Sequence, residues 1–373
     1  MSLEKQKMYA YFLDTVLGIG SKTALRLLKE FGTPENIYHM SAEEAKRFLG
    51  EKKAENFWEH RRHWDVPGSL ERLKEQKINF IWYEDGAYPQ RLRNIPDPPF
   101  ALYVKGRLPE DNRKSVAVVG ARKCSVYGQH VARELGKGLA AAGIQVVSGM
   151  AIGIDSISQQ EALIRGGDTY AVLGCGVDIC YPASHRDLYG RICSQGGVLS
   201  TYPPGTQPKS ELFPPRNRII SGLADVVVVV EAKEKSGTLI TVDMALEQGK
   251  EIYCVPGRIT DRLSDGCNKL IAQGAGVMLS VSDLVEKIME QGAYDSRITE
   301  EAYQGNETGH EGFSRREKLL YQLLDYDPVS AQQLHLQMLA GGEKLELQEL
   351  LEVLWELILK GKADTIGGWY VKK

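Results

Sequence analysis

VAVVGARKCSVYG, residues 116–128, is the stretch on which the fold turns. Four apolar residues run to Gly120, and the chain then takes up helical spacing. A glycine at the end of a parallel strand lets backbone N–H groups approach an anion closely. The helix that follows adds the positive end of its dipole. Arg122 and Lys123 stand in this turn, and the guanidinium fork of arginine matches phosphate geometry.

The same rhythm continues on either side. Strand-like apolar runs fall at 116–119, 145–148, 169–173, 197–201, 226–230, 251–255 and 276–279. Helical spacing fills 128–142, 155–165, 185–194, 238–248 and 266–272. Short apolar strands alternating with helices indicate a parallel sheet covered on both faces. Residues 115–285 are therefore predicted to be an α/β, doubly wound, Rossmann-like core. Ligands of such sheets sit outside the carboxyl ends of the strands. Glycine turns follow the first three strands at Gly120, at Ser148-Gly149 through Gly153, and at Gly174-Cys-Gly176. All three are expected at one end of the sheet.

Residues 1–65 read as an all-helical, SAM-like or helix-hairpin-helix-like domain. Apolar spacing from Tyr9 to Leu17 stops at Gly18-Ile19-Gly20. A helix over 21–31 follows, with Ser21 as its expected N-cap and Gly32 as its stop. Ser41-Ala-Glu-Glu44 is a capping box. The Gly-Ile-Gly hairpin either presents N–H groups to DNA phosphate or is a plain turn. Residues 66–114 read as a connecting section, with a short edge strand at 102–104 after Pro98-Pro99. Residues 286–312 read as a linker. Residues 313–373 read as three helices and a hairpin around Gly367-Gly368, a winged-helix pattern. The third helix carries Glu346, Glu349, Glu352 and Glu356. Phosphate is repelled by such a helix, so this unit is expected to be a protein–protein or scaffold element.

The 373 residues predict two or three domains, at roughly 100–200 residues each. A net charge of −3 gives no global attraction to nucleic acid, so any such binding needs a local patch. The N-terminus shows no secretory signal, and no apolar run approaches the ~20 residues of a membrane span. Six cysteines (124, 175, 180, 193, 254 and 267) include no Cys-x-x-Cys pair and no zinc-finger spacing. A cytoplasmic protein with reduced thiols, no metal and no cofactor is expected.

A second anion motif is FPPRNRIISG, residues 213–222. Arg216 and Arg218 flank Asn217 ahead of a buried helix turn expected at Ile219. Asn217 is expected to cap that turn, and at least one arginine to reach the ligand. Ser148, Gly149 and Gly153 form the turn after the second strand, and Asp155 is expected to cap the next helix. Ser236-Gly237-Thr238 opens another helix, where N–H groups either hold an anion or simply cap. Tyr181 and Phe213 offer faces on which bases could stack. The predicted DNA-binding set is Gly120, Arg122, Lys123, Ser148, Gly149, Gly153, Arg216, Asn217, Arg218, Ser236, Gly237 and Thr238, with no catalytic residue.

Several motifs in order resemble the DprA/Smf family of bacterial DNA-processing proteins. They are Val119-Gly-Ala-Arg122 with Tyr127-Gly128, Ser148-Gly-Met-Ala-Ile-Gly-Ile-Asp155, Ala171-Val-Leu-Gly-Cys-Gly-Val-Asp178 with Tyr181-Pro182, the 213–222 motif, Ser236-Gly-Thr238, and Val255-Pro-Gly257 with Asp265-Gly-Cys-Asn268. The resemblance covers nearly the whole chain. It implies single-stranded DNA binding, loading of RecA onto that strand during natural transformation, homodimer formation and no enzymatic activity. Three positions depart from the family pattern. Gly120-Ala-Arg122 replaces Gly-Ser-Arg, Ser158-Gln159 replaces Ala-His, and Ser200-Thr201 replaces Ser-Glu. A second reading is a Rossmann-fold nucleotide phosphoribohydrolase of the lysine-decarboxylase-like type. Aligning Gly237-Thr238 with the Gly-Thr of those enzymes puts Thr241 at their catalytic glutamate, and a threonine supplies no carboxylate.

Overall fold

The computed structural model describes residues 3–290, 313–343, 345–366 and 368–372. Nine strands form the central sheet. They are β1 (Asn79–Trp82), β2 (Ala101–Gly106), β3 (Ser115–Val119), β4 (Gln145–Ser148), β5 (Thr169–Val172), β6 (Gly197–Ser200), β7 (Val226–Val229), β8 (Glu251–Cys254) and β9 (Gly276–Val277). Their order is β1-β2-β6-β5-β4-β3-β7-β8-β9. From β6 to β9 every pairing is parallel, with Val116 opposite Val226 and Ala117 opposite Val227 across β3 and β7. β1, β2 and β6 pair antiparallel. All residues of β3 and β7 are buried, as strands covered on both faces require. The chain builds outward from β3 to β6, then crosses back to place β7 on the other side of β3. The β3–β7 junction is thus the topological switch point.

Two corrections concern the section before β3. The strand expected at the edge over 102–104 is the interior strand β2. Ala101 through Val104 are buried in it, and it lies between β6 and β1. β1 falls inside the section read as connecting, because four residues of NFIW are too short to show a period. On its face lies helix Leu3–Thr15, whose Asp14 accepts from the Tyr103 hydroxyl at 2.6 Å.

Six helices make the N-terminal region, from Leu3–Thr15 to Val66–Glu75. Phe12, Leu13, Leu27, Ile37 and Phe57 are fully buried in its core. The turn between the first two helices uses Gly18 at φ 86°, and the Asn56 side chain donates to Leu17 O at 3.0 Å to hold it. Gly20, not Ser21, is the N-cap of helix Ser21–Phe31, and no side chain caps it. The Ser41–Glu44 capping box forms as expected, with both reciprocal bonds present.

The expected linker begins too early. Residues 286–290 belong to helix Val281–Glu290, and residues 291–312 lie outside the described residues. Beyond them stand helices Arg315–Leu323, Ala331–Ala340 and Leu347–Leu359, then the hairpin β10 (Ala363–Ile366) and β11 (Trp369–Lys372). Ser314 and Ser330 close capping boxes on the first two helices. Leu320, Leu334, Met338, Leu350, Leu354 and Leu357 form this unit's own core. Gly367 lies outside the described residues, and Gly368 takes φ 85°. Among the described residues no helix is long and apolar enough to cross a membrane.

Candidate nucleic-acid interface

A cleft of about 880 Å³ opens at the carboxyl ends of β3 and β7, at the switch point. Its walls come from the loops after β3, β7 and β8 and from helix Phe213–Leu223. Five cationic side chains line it: Arg122, Lys123, Arg216, Lys233 and Arg262. Asp155 is the one carboxylate among its lining residues. A chain of net charge −3 therefore concentrates positive charge here, and a concave low-dielectric wall strengthens that field.

Of the predicted set, Gly120, Arg122, Lys123, Arg216, Asn217, Ser236, Gly237 and Thr238 line the cleft. Arg122 and Lys123 are exposed. The Arg122 guanidinium lies 5.8 Å from the Phe213 ring centroid, and Tyr181 lies 5.6 Å from the same ring at an interplanar angle of 30°. Tyr181 keeps 40% of its surface exposed. Thr238 donates to Gly120 O at 3.2 Å, tying helix Gly237–Glu247 to the β3 turn. Ser236 is the N-cap of that helix, yet its side chain makes no capping bond. Its hydroxyl is buried with no hydrogen-bond partner among the described residues. A helix N-terminus with an idle hydroxyl has donors left over for an anion.

Arg216 sits deeper, 6% exposed. Nη1 donates to Gly149 O at 2.9 Å and also to Val172 O, and Nε donates to the Asn217 side chain at 3.2 Å. Burial lowers its pKa, opposed by the charge of Asp155. Burial raises that of Asp155, opposed by Arg216 and by hydrogen bonds that include the Gly149 N–H at 3.1 Å. Arg216 thus braces the cleft floor through Nε and Nη1. Asn217 does not cap a helix starting at Ile219. The helix starts at Phe213, with proline in its first turn, where a missing N–H costs nothing. Asp155 is likewise not an N-cap; Gly153 is, and Asp155 stands inside the first turn.

Four predicted residues fall outside the lining. Ser148 is fully buried and donates to Val118 O at 2.6 Å. Gly149 lets Arg216 in: a Cβ there would stand 2.6 Å from Nη1. Gly153 has φ 91°, and a Cβ would strike the Ala121 carbonyl oxygen. Both glycines serve the packing of turns against each other and against Arg216. Arg218 turns away and donates to Asp97 O. Of the residues that depart from the family pattern, Ala121 lines the cleft and the others do not. Gln159 is buried and donates to Thr169 Oγ1 at 3.2 Å and Tyr170 O at 3.0 Å, and Thr201 is not in the lining. Lys233 and Arg262 were not singled out from the sequence. Their loops lie apart in the chain, and β7–β8 pairing brings them together.

The profile of the family described as DNA recombination-mediator protein A matches residues 79–289, more than half of the chain. The chain belongs to the DprA/Smf family. A SAM-like helix-hairpin-helix tandem matches residues 11–57. The DNA processing protein DprA of Streptococcus pneumoniae is 44% identical over 210 residues, which cover 56% of this chain and 74% of that one. Its X-ray structure matches with a TM-score of 0.65 at 34% identity, over 77% of this chain and 99% of that chain. A structure of the family member from Helicobacter pylori, described as revealing a single-stranded DNA binding mode, matches with a TM-score of 0.52 at 28% identity. It covers 58% of this chain and 97% of that one. The DprA/Smf match spans all of the cleft-lining residues, from Val119 to Leu263.

Proposed function

We propose that this chain is a sequence-independent single-stranded DNA binding protein that grips the strand in the switch-point cleft and presents it to RecA. The observation that carries the reading is the cleft itself, with exposed Arg122 and Lys123 beside the Tyr181–Phe213 aromatic pair and an unengaged Ser236 at a helix N-terminus. Phosphate contacts supply affinity without sequence preference, and aromatic faces accept any base. A role in handing the strand to a recombinase is supported by the family description, DNA recombination-mediator protein A. A homodimer acting in the cytoplasm fits the same resemblance.

No bond of the DNA is changed in this reading. Thr241 lines the cleft, 3% exposed, where a phosphoribohydrolase would need a carboxylate. The C-terminal unit, read as a winged helix, serves a protein contact. Its third helix exposes Glu349, Glu352 and Glu356.

The test is equilibrium binding of single- and double-stranded oligonucleotides at several salt concentrations. Wild type is expected to prefer the single strand. Arg122→Ala is expected to weaken single-strand binding about tenfold and to lower the salt slope by about one. Equal affinity of wild type and Arg122→Ala for the single strand rejects the site.

A further inference from the structure

The cleft has two cationic walls, and they belong to different loops. Arg122 and Lys123 stand on the turn after β3. Lys233 stands on the loop after β7 and Arg262 on the loop after β8. The second wall is held firmly. Ala232 N–H donates to Leu263 O at 2.8 Å, and Gly266 N–H donates to Ala232 O at 2.8 Å. Asp261 braces the same turn, its carboxylate accepting from Leu263 N–H at 2.9 Å and its carbonyl from Ser264 N–H at 2.9 Å. A Cβ at Gly266 would come 2.6 Å from Ala232 O, so the two loops approach as closely as glycine allows. Lys233 and Arg262 are both exposed on this platform. The adjacent carboxylate of Glu234 is taken by Lys269 at 2.9 Å. The wall's charge is thus left for a ligand.

Charge matching then limits what fills the cleft. A phosphodiester carries one negative charge. Four exposed cations on two walls exceed what one phosphate neutralises, and like charges facing each other across an empty cleft repel. We propose that Lys233 and Arg262 form the second half of a two-phosphate clamp. One phosphodiester rests against Arg122 and Lys123, and a neighbouring one of the same strand rests against Lys233 and Arg262. This rests on the single-strand reading above and deepens it: the preferred ligand is a strand segment with at least two phosphates, not a mononucleotide.

The test compares wild type, Lys233→Glu/Arg262→Glu and Arg122→Ala as full chains. The probes are thymidine monophosphate, a 5′-phosphorylated thymidine dinucleotide and a labelled oligothymidine. Wild type is expected to bind the dinucleotide at least tenfold more tightly than the mononucleotide. The double variant is expected to lose that preference, to keep its mononucleotide affinity within twofold, and to lower the oligonucleotide salt slope by one to two. Thermal unfolding and a Lys233→Gln/Arg262→Gln pair guard against a folding artefact. The clamp is overturned if the double variants bind all three probes as wild type does, or if mononucleotide and dinucleotide weaken equally. A loss confined to Arg122→Ala rejects the clamp alone. No loss in any variant rejects the cleft as the site.

Discussion

The cleft of the core and the third helix of the C-terminal unit have opposite chemistry. Around the cleft, five cations accompany one carboxylate. On helix Leu347–Leu359 the exposed positions are Gln348, Glu349, Glu352, Trp355, Glu356 and Leu359, with no cation among them. Trp355 and Leu359 are 56% and 83% exposed. Helices in that topological place are often the ones that enter a DNA groove. Here the sign of charge argues otherwise: an acidic, apolar face suits protein, and the cationic cleft suits phosphate. Fold order alone points to the other unit.

The sharpest test of the cleft concerns its floor. Arg216 is buried and holds two carbonyls and the neighbourhood of Asp155. Arg216→Ala takes its donors from those acceptors and leaves the buried Asp155 carboxylate without its counter-charge. A loss of about 3 kcal/mol of unfolding free energy is expected, since breaking a buried charged network is among the costlier single changes. Urea unfolding measures it. A loss below about 1 kcal/mol, the scale of an exposed ion pair, would mean that Arg216 does not brace the floor and has its donors free for the ligand.

The C-terminal side of the comparison is tested by Glu352→Gln/Glu356→Gln in the full chain. Removing two exposed carboxylates is expected to change single-strand affinity less than threefold at physiological salt, where charges beyond about 8 Å are screened. Anisotropy with a labelled oligonucleotide measures it. A tenfold gain would place this helix beside the DNA and undo the division between the two regions.

What the sequence made legible was local. Gly120, Arg122 and Lys123 sit directly after an apolar strand, so sequence adjacency already puts them at the sheet's end. The helix-hairpin-helix turn and the capping box at Ser41 were readable for the same reason. What escaped was phase and pairing. Helix Phe213–Leu223 begins four residues before Asn217, so Arg216, Ile219, Ile220 and Leu223 share its buried face. Two arginines of one motif therefore part company, and starting the helix at Ile219 rather than at the prolines hid this. Lys233 and Arg262 are 29 residues apart, and parallel pairing of β7 with β8 brings them to one wall. No local pattern announces that.

Arg218 gives the smallest expected effect and the cleanest check on helix phase. The sequence pairs it with Arg216 and Arg122 as a phosphate ligand. In the structure it lies about 200° around the helix from Arg216, two residues on. Its guanidinium donates to Asp97 O, and burial lowers its pKa against the pull of Asp97. Asp97 is also ion-paired to Lys22 at 2.6 Å, so Arg218 belongs to the contact between the N-terminal helices and the loop before β2. Arg218→Ala is expected to cost about 1 kcal/mol of stability, the scale of one hydrogen bond. It is expected to leave single-strand affinity and salt slope unchanged within twofold. Measured beside Arg122→Ala under the same salt series, a matching tenfold fall would put both arginines on one ligand and contradict the helix phase on which the cleft is built.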